Sequence, residues 1–306
     1  MSINVSHSNK KIKFERNAGR NVCLKEFSSF HTGGNAELFT MPGRMEDLVT
    51  TLQTAHANHL PLTIIGGGTN VLISDQDIKG MVLCTKHLSR FSMRGNLFAV
   101  RCGLSLDKAI SISIEAGMQG LESLSGIPGT IGGAVRGNAG CEETQISDRL
   151  VYVDYFSLDG LMHRMPIEEI DFSYRHSIFM DMEQVVLFEA AFNMDNTGLS
   201  SEAKKIKEAN KKKRRENGIP SLPSAGCVFK NPEGTTAGKL LDACGMKNKT
   251  YGGASFYAKH ANIIVNNGEA SSKDIFTLST IGREAVAQKF NIDLEYELAL
   301  IGNFDY

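Results

Sequence analysis

The sequence lacks the features of a membrane or secreted protein. Nowhere in its 306 residues does an apolar stretch reach the length of about 18 residues that a membrane-spanning helix needs. The polar and basic segment 1–20 contains no apolar core of a secretory signal, and the six scattered cysteines form no C-x-x-C motif. We therefore expect a cytoplasmic protein with reduced thiols and no membrane anchor.

The net charge is also close to zero, and the sequence shows no motif typical of a metal site. Lys and Arg total 33 against 34 Asp and Glu, a formal net charge of −1 that argues against a dedicated nucleic-acid binder. The basic run at 211–215 is the local exception, and on a helix such a run is typical of a solvated face. The eight histidines show no H-E-x-x-H spacing, so we expect no metal site.

Glycine, in contrast, is present in excess. The chain has 30 glycines, and they concentrate at 33–34, 66–68 and 126–140. Clustered glycine indicates backbone with positive φ or backbone that another group approaches closely. Amide N–H groups exposed in such loops bind anions, including the phosphates of nucleotides. Three clusters in this small part of the chain favour a ligand site at least as much as a set of tight turns.

The apolar pattern predicts a mixture of helices and strands. A mixture of this kind indicates an α/β or α+β fold. The charged segment before Pro220 and Pro223 predicts a domain boundary near 198–204. Helices are predicted at 45–55, 106–116, 201–217 and 272–290, and strands at 62–65, 71–73, 81–84, 97–101, 150–156, 185–193 and 294–301.

Two common nucleotide-binding motifs are absent from the glycine clusters. The chain has no G-x-x-x-x-G-K-[ST] motif of the Walker A type. The loop Gly66–Asn70 has no G-x-G-x-x-G spacing, and the apolar run after it is typical of a strand rather than a helix. A dinucleotide bound here would therefore need a different scaffold.

The glycine loops and several other motifs resemble those of UDP-N-acetylenolpyruvoylglucosamine reductases. The matching segments occur in the family's order and extend over nearly the whole chain, from about 30 to 302. They are Phe30–Asn35, Gly66–Leu72, Gly120–Ala134, Asn138–Gly140, Tyr174–Ser177, Pro223–Pro232, Ala237–Leu240, Gly252–Ala254, His260–Ala261, Val265–Asn266 and Glu297–Gly302.

This resemblance implies a fold and a reaction. The fold is α+β, with a two-part FAD-binding region of the vanillyl-alcohol-oxidase type over 20–198 and a smaller α+β substrate domain over 199–306. Family enzymes use FAD and NADPH to reduce the enolpyruvyl ether of a UDP-sugar to UDP-N-acetylmuramate for peptidoglycan. The chain resembles the shorter type without a tyrosine loop. It is expected to act as a monomer on a small molecule, without nucleic acid or membrane.

The resemblance also implies which residues bind FAD, all of them in or beside the glycine clusters. His31, next to these positions, is a further candidate contact. The implied FAD-binding residues are Thr32, Gly33, Gly66, Gly67, Gly68, Thr69, Asn70, Gly126, Ile127, Pro128, Gly129, Ile131, Gly132, Gly133, Asn138 and Gly140.

Three residues match the family's catalytic positions. Arg175 offers a planar guanidinium that suits the carboxylate of the substrate. Glu297 matches a terminal glutamate that, when protonated, stabilises an enolate by hydrogen bonding, with Glu295 as its rival. Cys227 stands where the family usually has a proton-donating serine. A thiol, with a pKa of about 8.5, is a stronger acid than an alcohol and can do the same work. Ser224 is a second candidate donor.

Four polar residues are implied as contacts of the UDP-sugar: Arg215, Lys230, Asn231 and Lys239. Two other functions remain open at this point. One is an FAD enzyme of the same superfamily that acts on an alcohol or a sugar. The other is a regulatory or nucleic-acid-binding protein without flavin.

Overall fold

A computed structural model gives the fold. It describes residues 3–7, 10–14, 18–141, 144–198, 200–216 and 220–306, with side chains from residue 18 onward except at 200 and 215. The chain divides into two compact units. The larger unit comprises Met1–Asn21, Glu37–Gly67 and Lys79–Lys213, and the smaller unit comprises Val22–Ala36, Gly68–Ile78 and Arg214–Tyr306. The domain bounds of 20–198 and 199–306 stay a prediction.

Four of the helices match the predicted ones to within about two residues, whereas α3 and α5 were not predicted. They are α1 (Met45–Ala57), α2 (Leu106–Glu115), α3 (Ile131–Arg136), α4 (Ser200–Glu216), α5 (Ala237–Ala243) and α6 (Ser272–Phe290). Ser105 caps α2, since its side chain accepts a hydrogen bond from Lys108 N. No helix among the described residues has the length and apolar character to cross a bilayer.

The strands are more numerous than the sequence patterns indicate. They are β1 (Ile3–His7), β2 (Lys10–Phe14), β3 (Ala18–Cys23), β4 (Asn35–Thr40), β5 (Leu62–Ile65), β6 (Val71–Ile73), β7 (Ile78–Cys84), β8 (Phe91–Arg94), β9 (Leu97–Arg101), β10 (Met118–Gln119), β11 (Gly140–Cys141), β12 (Thr144–Gln145), β13 (Leu150–Phe156), β14 (Met162–Pro166), β15 (Phe172–Ser173), β16 (His176–Ser177), β17 (Val186–Asn193), β18 (Asp195–Asn196), β19 (Thr250–Tyr251), β20 (Ala254–Tyr257), β21 (His260–Asn266) and β22 (Ala299–Ile301).

The prediction of a last strand over 294–301 is wrong in its extent, because the strand covers Ala299–Ile301 only. The residues just before it form only isolated backbone hydrogen bonds with the segment 228–230. Lys230 N donates to Glu295 O at 2.8 Å, and Glu297 N donates to Val228 O at 2.8 Å. Isolated contacts of this kind satisfy the backbone without forming a regular ladder.

An antiparallel sheet and two helices form the core of the larger unit. The sheet has the order β14-β13-β17-β9-β8. Its buried side chains include Phe98, Val153 and Phe192, and they share one apolar cluster with Ile110 of α2 and Val135 of α3. A second sheet has the order β3-β4-β7-β5, in which β5 and β7 are parallel. Strand β5 leads directly into the glycine loop at 66–68.

The basic helix α4 is partly fixed by polar contacts to α2. Lys211 Nζ lies 2.7 Å from Asp107 Oδ2, and Lys207 donates to the hydroxyl of Ser111. Both cations lie in the larger unit and are largely shielded from solvent. The basic run therefore does more than form a solvated face, because its first lysine binds a carboxylate of another helix.

The smaller unit is built on the sheet β19-β20-β21 and on the parallel pair β6–β22. Helices α5 and α6 pack on apolar residues of these strands. Phe229, Phe256 and Ile264 are almost fully buried in the resulting core. The parallel pair joins the segment after the glycine loop to the end of the chain, which brings residue 70 close to residue 297.

The N-terminus of α6 binds two carboxylates. Asp274 accepts hydrogen bonds from Ser271 N at 3.0 Å and Gly253 N at 3.3 Å, while Asp75 accepts from Ser272 N and Lys273 N, both at 2.9 Å. Partial burial by itself raises the pKa of Asp274. The hydrogen bonds outweigh it and hold the pKa below its usual value. The unprotonated carboxylate therefore stabilises the start of α6.

We expect Asp274→Asn to lower the free energy of unfolding at pH 7 by about 1 kcal/mol, because an amide oxygen is a weaker acceptor than a carboxylate. Because the folded-state pKa is depressed, the carboxylate contributes fully to the free energy of unfolding at pH values above the unfolded-state pKa of about 3.9. This contribution is lost as the pH falls through the folded-state pKa. Urea unfolding should show a smaller difference between parent and variant at pH 3 than at pH 7.

The matched control is Glu269→Gln, an exposed side chain in the loop before α6. It should change the free energy of unfolding by less than about 0.5 kcal/mol. Equal stability of the parent and Asp274→Asn at pH 7 would contradict the stabilising role of the carboxylate.

Candidate functional site

Two of the three glycine clusters meet in the larger unit. A Cβ at Gly66 would lie 2.6 Å from Thr130 Oγ1, a distance that real Cβ atoms do not show. The same hydroxyl accepts a hydrogen bond from Gly133 N at 3.3 Å and caps α3. The loop after β5 therefore packs directly against the start of α3. Thr130 was not among the predicted site residues, although its place three residues before Gly133 is typical of an N-cap.

The loop also makes a close backbone contact in the smaller unit. Gly68 has a φ of +70°, and a Cβ there would lie 1.8 Å from the carbonyl oxygen of Phe27. Its own carbonyl accepts a hydrogen bond from Ser29 N at 2.8 Å. Glycine at this position is therefore required by the packing of the chain itself, whether or not a ligand binds.

Other predicted FAD residues are distributed over the same segments. Asn70 has a structural bond, since its Nδ2 donates to Glu297 O at 2.9 Å. Ile131 is fully buried in the apolar core of the larger unit, and its N–H donates to Leu104 O. The segment before α3 holds Gly126, Ile127, Pro128 and Gly129, and α3 itself holds Gly132 and Gly133. Gly33, Gly67 and Thr69 lie in loops, and Gly140 begins β11.

Two buried polar atoms at predicted FAD positions have no hydrogen-bond partner in the described part of the chain. They are Thr32 Oγ1 in the smaller unit and Asn138 Oδ1 in the larger unit. Each of these residues is only 1% exposed. Buried polar atoms are nearly always hydrogen-bonded in folded proteins. The residues present thus fit a bound group that supplies hydrogen bonds, as the polar cofactor FAD would.

Arg175 lies beside Asn138 and Gly140. It occupies the turn between β15 and β16, where Nη1 donates to Asn138 O at 3.4 Å and Nη2 donates to Gly140 O at 3.0 Å. Its φ of +55° is unfavourable for a residue with a side chain. Backbone strain of this kind is concentrated at functional sites. The predicted catalytic arginine and two predicted FAD residues therefore form one cluster.

Cys227 and Glu297 lie on adjoining backbone segments of the smaller unit. Cys227 forms an isolated bridge with Ile263 of β21, and the next residue, Val228, accepts the hydrogen bond from Glu297 N. Both side chains are half-buried. The structure therefore brings together two predicted catalytic residues that are far apart in the sequence.

A buried asparagine fixes the segment that carries Cys227. Asn262 Oδ1 accepts from Phe229 N at 3.0 Å, and Asn262 Nδ2 donates to Phe229 O at 2.8 Å. Asn262 is 1% exposed, so its amide is committed to this backbone. No local sequence pattern indicates this role, because the partner of Asn262 lies 33 residues away.

The rival carboxylate Glu295 has a different environment. It is exposed, and its Oε2 lies 3.4 Å from Lys230 Nζ. An exposed pair of this kind contributes little free energy and exchanges easily with water or ligand. Both glutamates are bonded through their backbone to the segment 228–230, but Glu297 is half-buried and is therefore the better candidate. Ser224 is half-buried near the start of the same segment.

The predicted UDP-sugar contacts are only partly brought together. Asn231 Oδ1 accepts from Ala237 N at 3.1 Å, at the first residue of α5. Lys239 is exposed on that helix, and Lys230 is one residue before Asn231. The side chain of Arg215 lies outside the described residues. His31 is exposed beside Thr32 and has a φ of +57°.

No group of three or more His, Cys, Asp or Glu in the described ranges has a geometry that could hold a metal ion.

The thiol of Cys84 approaches the glycine loop from β7, with its Sγ 3.8 Å from Gly66 O. Burial raises the pKa of this thiol, so it stays protonated and donates.

Comparison with known proteins gives two matching family models. Residues 217–301 match the C-terminal domain of UDP-N-acetylenolpyruvoylglucosamine reductase, and residues 36–166 match an FAD binding domain. The predicted fold class, an α+β chain with an FAD-binding region and a smaller C-terminal domain, is confirmed by these matches.

Individual relatives agree over most of their length. The UDP-N-acetylenolpyruvoylglucosamine reductase of Nostoc punctiforme is 36% identical over 92% of this chain and 86% of its own. That of Caldicellulosiruptor bescii is 37% identical over 92% of this chain and 90% of its own. The crystal structure of the reductase from Thermus caldophilus superposes with a TM-score of 0.79 at 29% identity, covering 92% of this chain and 98% of that one.

The contact between Gly66 and Thr130 can be tested by mutation. Gly66→Ala should displace the Thr130 hydroxyl from Gly133 N and lower the free energy of unfolding by about 1–2 kcal/mol. In a Thr130→Ala background the added methyl should be nearly neutral, because the clashing oxygen is gone. Urea unfolding of the two single variants and the double variant measures this.

The control is Gly137→Ala, where the nearest atom to the new Cβ is Gly133 O at 3.5 Å, an ordinary contact. If Gly66→Ala destabilised the protein equally with and without the Thr130 hydroxyl, the proposed clash would be refuted.

Proposed function

Because the chain belongs to the UDP-N-acetylenolpyruvoylglucosamine reductase family, we propose that it uses NADPH to reduce the enolpyruvyl ether of UDP-N-acetylglucosamine to UDP-N-acetylmuramate. The protein is an oxidoreductase with an FAD-binding domain, and the reductase serves the synthesis of peptidoglycan precursors. The finer proposals concern the reductant, the reacting atoms and the roles of individual residues.

We assign the proton-donating residues to the smaller unit on the basis of one hydrogen bond. The hydrogen bond of 2.8 Å between Glu297 N and Val228 O holds Glu297 beside the segment of Cys227. A thiol and a carboxyl group on adjoining backbone supply two proton donors of different acidity. Reduction of an enolpyruvyl group needs such donors, because a proton must be added to one carbon after hydride is added to the other.

When bound, FAD would supply the hydride transfer between NADPH and the β carbon of the enolpyruvyl group. The residues that would hold FAD are Thr32, Gly33, the loop Gly66–Asn70, the segments Gly126–Gly129 and Ile131–Gly133, Asn138 and Gly140. Thr32 Oγ1 and Asn138 Oδ1 support this assignment, since neither has a hydrogen-bond partner among the described residues and a cofactor can supply one.

The protein's own groups then act on the substrate's charge and proton. Negative charge develops on the α carbon and its carboxylate, and Arg175 would bind that carboxylate with its planar fork. As a protonated carboxyl group, Glu297 would donate a hydrogen bond to the enolate oxygen. Cys227 would give its thiol proton to the α carbon and would be reprotonated from solvent afterwards.

The polar residues at the start of α5 are proposed to bind the UDP part of the substrate. Lys230, which is half-buried, can exchange the exposed carboxylate of Glu295 for a pyrophosphate, which is a stronger partner. Lys239 and Asn231 lie on or beside the same helix, and Arg215 is assigned with them from the resemblance. The rival substrate, an alcohol or a sugar, is disfavoured because the C-terminal match is to a reductase of a UDP-sugar ether.

The activity is tested by mixing the purified protein with NADPH and UDP-N-acetylglucosamine enolpyruvate. The protein should be yellow, with absorption near 450 nm, and NADPH oxidation should accelerate when the UDP-sugar is added. A colourless protein that does not take up FAD would refute the proposal.

The role of Cys227 is tested by separating the two half-reactions in an anaerobic stopped-flow instrument. With Cys227→Ala, NADPH should bleach the flavin at the parent's rate. Reoxidation by the UDP-sugar should be at least about 100-fold slower, since a general acid is lost. Cys227→Ser should retain most of the parent's rate, because a hydroxyl can also donate a proton.

The control is Cys23→Ala, which removes an exposed thiol from β3. It should leave both half-reactions unchanged. Normal reoxidation of the flavin by substrate in Cys227→Ala would eliminate Cys227 as the proton donor and direct attention to Ser224.

A further inference from the structure

The carboxamide of Asn138 has a defined orientation. Its Nδ2 donates to Gln145 Oε1 at 2.6 Å and to Ser173 O at 3.0 Å. A backbone carbonyl can only accept a hydrogen bond, so the side of the amide that faces Ser173 must carry the nitrogen. The oxygen, Oδ1, therefore points to the opposite side of the amide.

That oxygen is buried and has no hydrogen-bond partner among the residues the structure describes. Asn138 as a whole is 1% exposed, so water does not reach the side chain freely. A buried acceptor left unsatisfied is costly, and such an atom calls for a donor from a bound molecule. Asn138 is also one of the residues proposed to hold FAD.

The backbone of Asn138 is fixed as firmly as its side chain. Its φ of +42° lies in the left-handed region that asparagine tolerates better than most residues. Its N–H donates to Val135 O at 3.2 Å, and its carbonyl accepts from Arg175 Nη1 at 3.4 Å. Asn138 is thus in contact with the proposed substrate-binding arginine on one side and with Gln145 on the other.

Gln145 itself has a fixed place. It lies on β12 opposite Gly140 of β11, and its N–H donates to Asp148 Oδ2 at 2.8 Å. A Cβ at Gly140 would lie 3.0 Å from Gln145 Cγ. The glycine therefore leaves room for the glutamine side chain to lie across β11 and reach Asn138.

We infer that Gln145 is a positioning residue for FAD: it holds the carboxamide of Asn138 so that Oδ1 accepts a hydrogen bond from an N–H or O–H donor of the cofactor. The inference rests on the proposed function, because it takes FAD as the ligand. FAD offers such donors on the flavin imide, the ribityl hydroxyls and the adenine amino group. Gln145 acts through Asn138 and does not itself touch the cofactor.

The test is a double-mutant cycle on FAD affinity. Gln145→Met removes the acceptor but keeps the length of the side chain, and Asn138→Gly removes the carboxamide while remaining compatible with the positive φ. The dissociation constant of FAD is measured by fluorescence titration of apoprotein for the parent, the two single variants and the double variant. Unfolding of each apoprotein is followed in parallel.

We expect Gln145→Met and Asn138→Gly each to weaken FAD binding roughly five- to tenfold, the usual worth of one hydrogen bond. The double variant should bind FAD no more weakly than Asn138→Gly alone, because Gln145 acts through the missing amide. Asn291→Gly is the matched control: it removes another left-handed asparagine, at the end of α6, and should leave FAD affinity unchanged.

Three outcomes would overturn the inference, and they are distinguishable. Unchanged FAD affinity in Gln145→Met would show that the amide needs no support. Multiplicative effects in the double variant would show that Gln145 acts independently of Asn138, as a purely structural residue could. A parent protein that does not bind FAD at all would overturn the proposed function as well, whereas the first two results leave that function standing.

Discussion

The two peptide groups that flank Val228 join the three segments that carry the predicted chemistry of the smaller unit. The N–H of Val228 donates to Asn262 O of β21, and its carbonyl accepts from Glu297 N at the approach to β22. Asn70, in the glycine loop, then donates through its side chain to Glu297 O. Cys227, Glu297 and Asn70, which is proposed to bind FAD, are therefore linked by a short series of hydrogen bonds. A shift of the Val228 segment would displace all of them.

Local signals in the sequence predicted the four longer helices but not the short α3 and α5, and long-range pairing explains where the strands departed from prediction. Helix α6 begins and ends at the predicted residues, because its apolar spacing is a signal local to that segment. The last strand was predicted too long, because the segment before Ala299 bonds singly to Val228 and Lys230, about 65–70 residues away. Alternating apolar residues indicate extended backbone but do not reveal whether a ladder forms.

The candidate site could be predicted only as far as the resemblance to the reductase family identifies individual residues. Arg175, Asn138 and Gly140 were each predicted, but their mutual contacts were not. Thr130 and Asn262 were missed because a threonine or a buried asparagine has no recognisable role until its partner is known. The glycines illustrate the same limit, since Gly68 is required by Phe27 of the chain itself, a cause that the sequence cannot distinguish from a ligand.

The backbone at Arg175 argues for a functional guanidinium on physical grounds alone. A φ of +55° in a turn between two short strands is easiest for glycine, and asparagine or aspartate would be the next choice. An arginine there costs on the order of 1 kcal/mol or more in backbone strain. Its hydrogen bonds to Asn138 O and Gly140 O recover part of this cost, but those carbonyls could bond to water or to a less strained side chain. The strain therefore supports the proposal that the charge of Arg175 is used beside the glycine-rich segment, although residues such as His59 and Gln184 also have a positive φ.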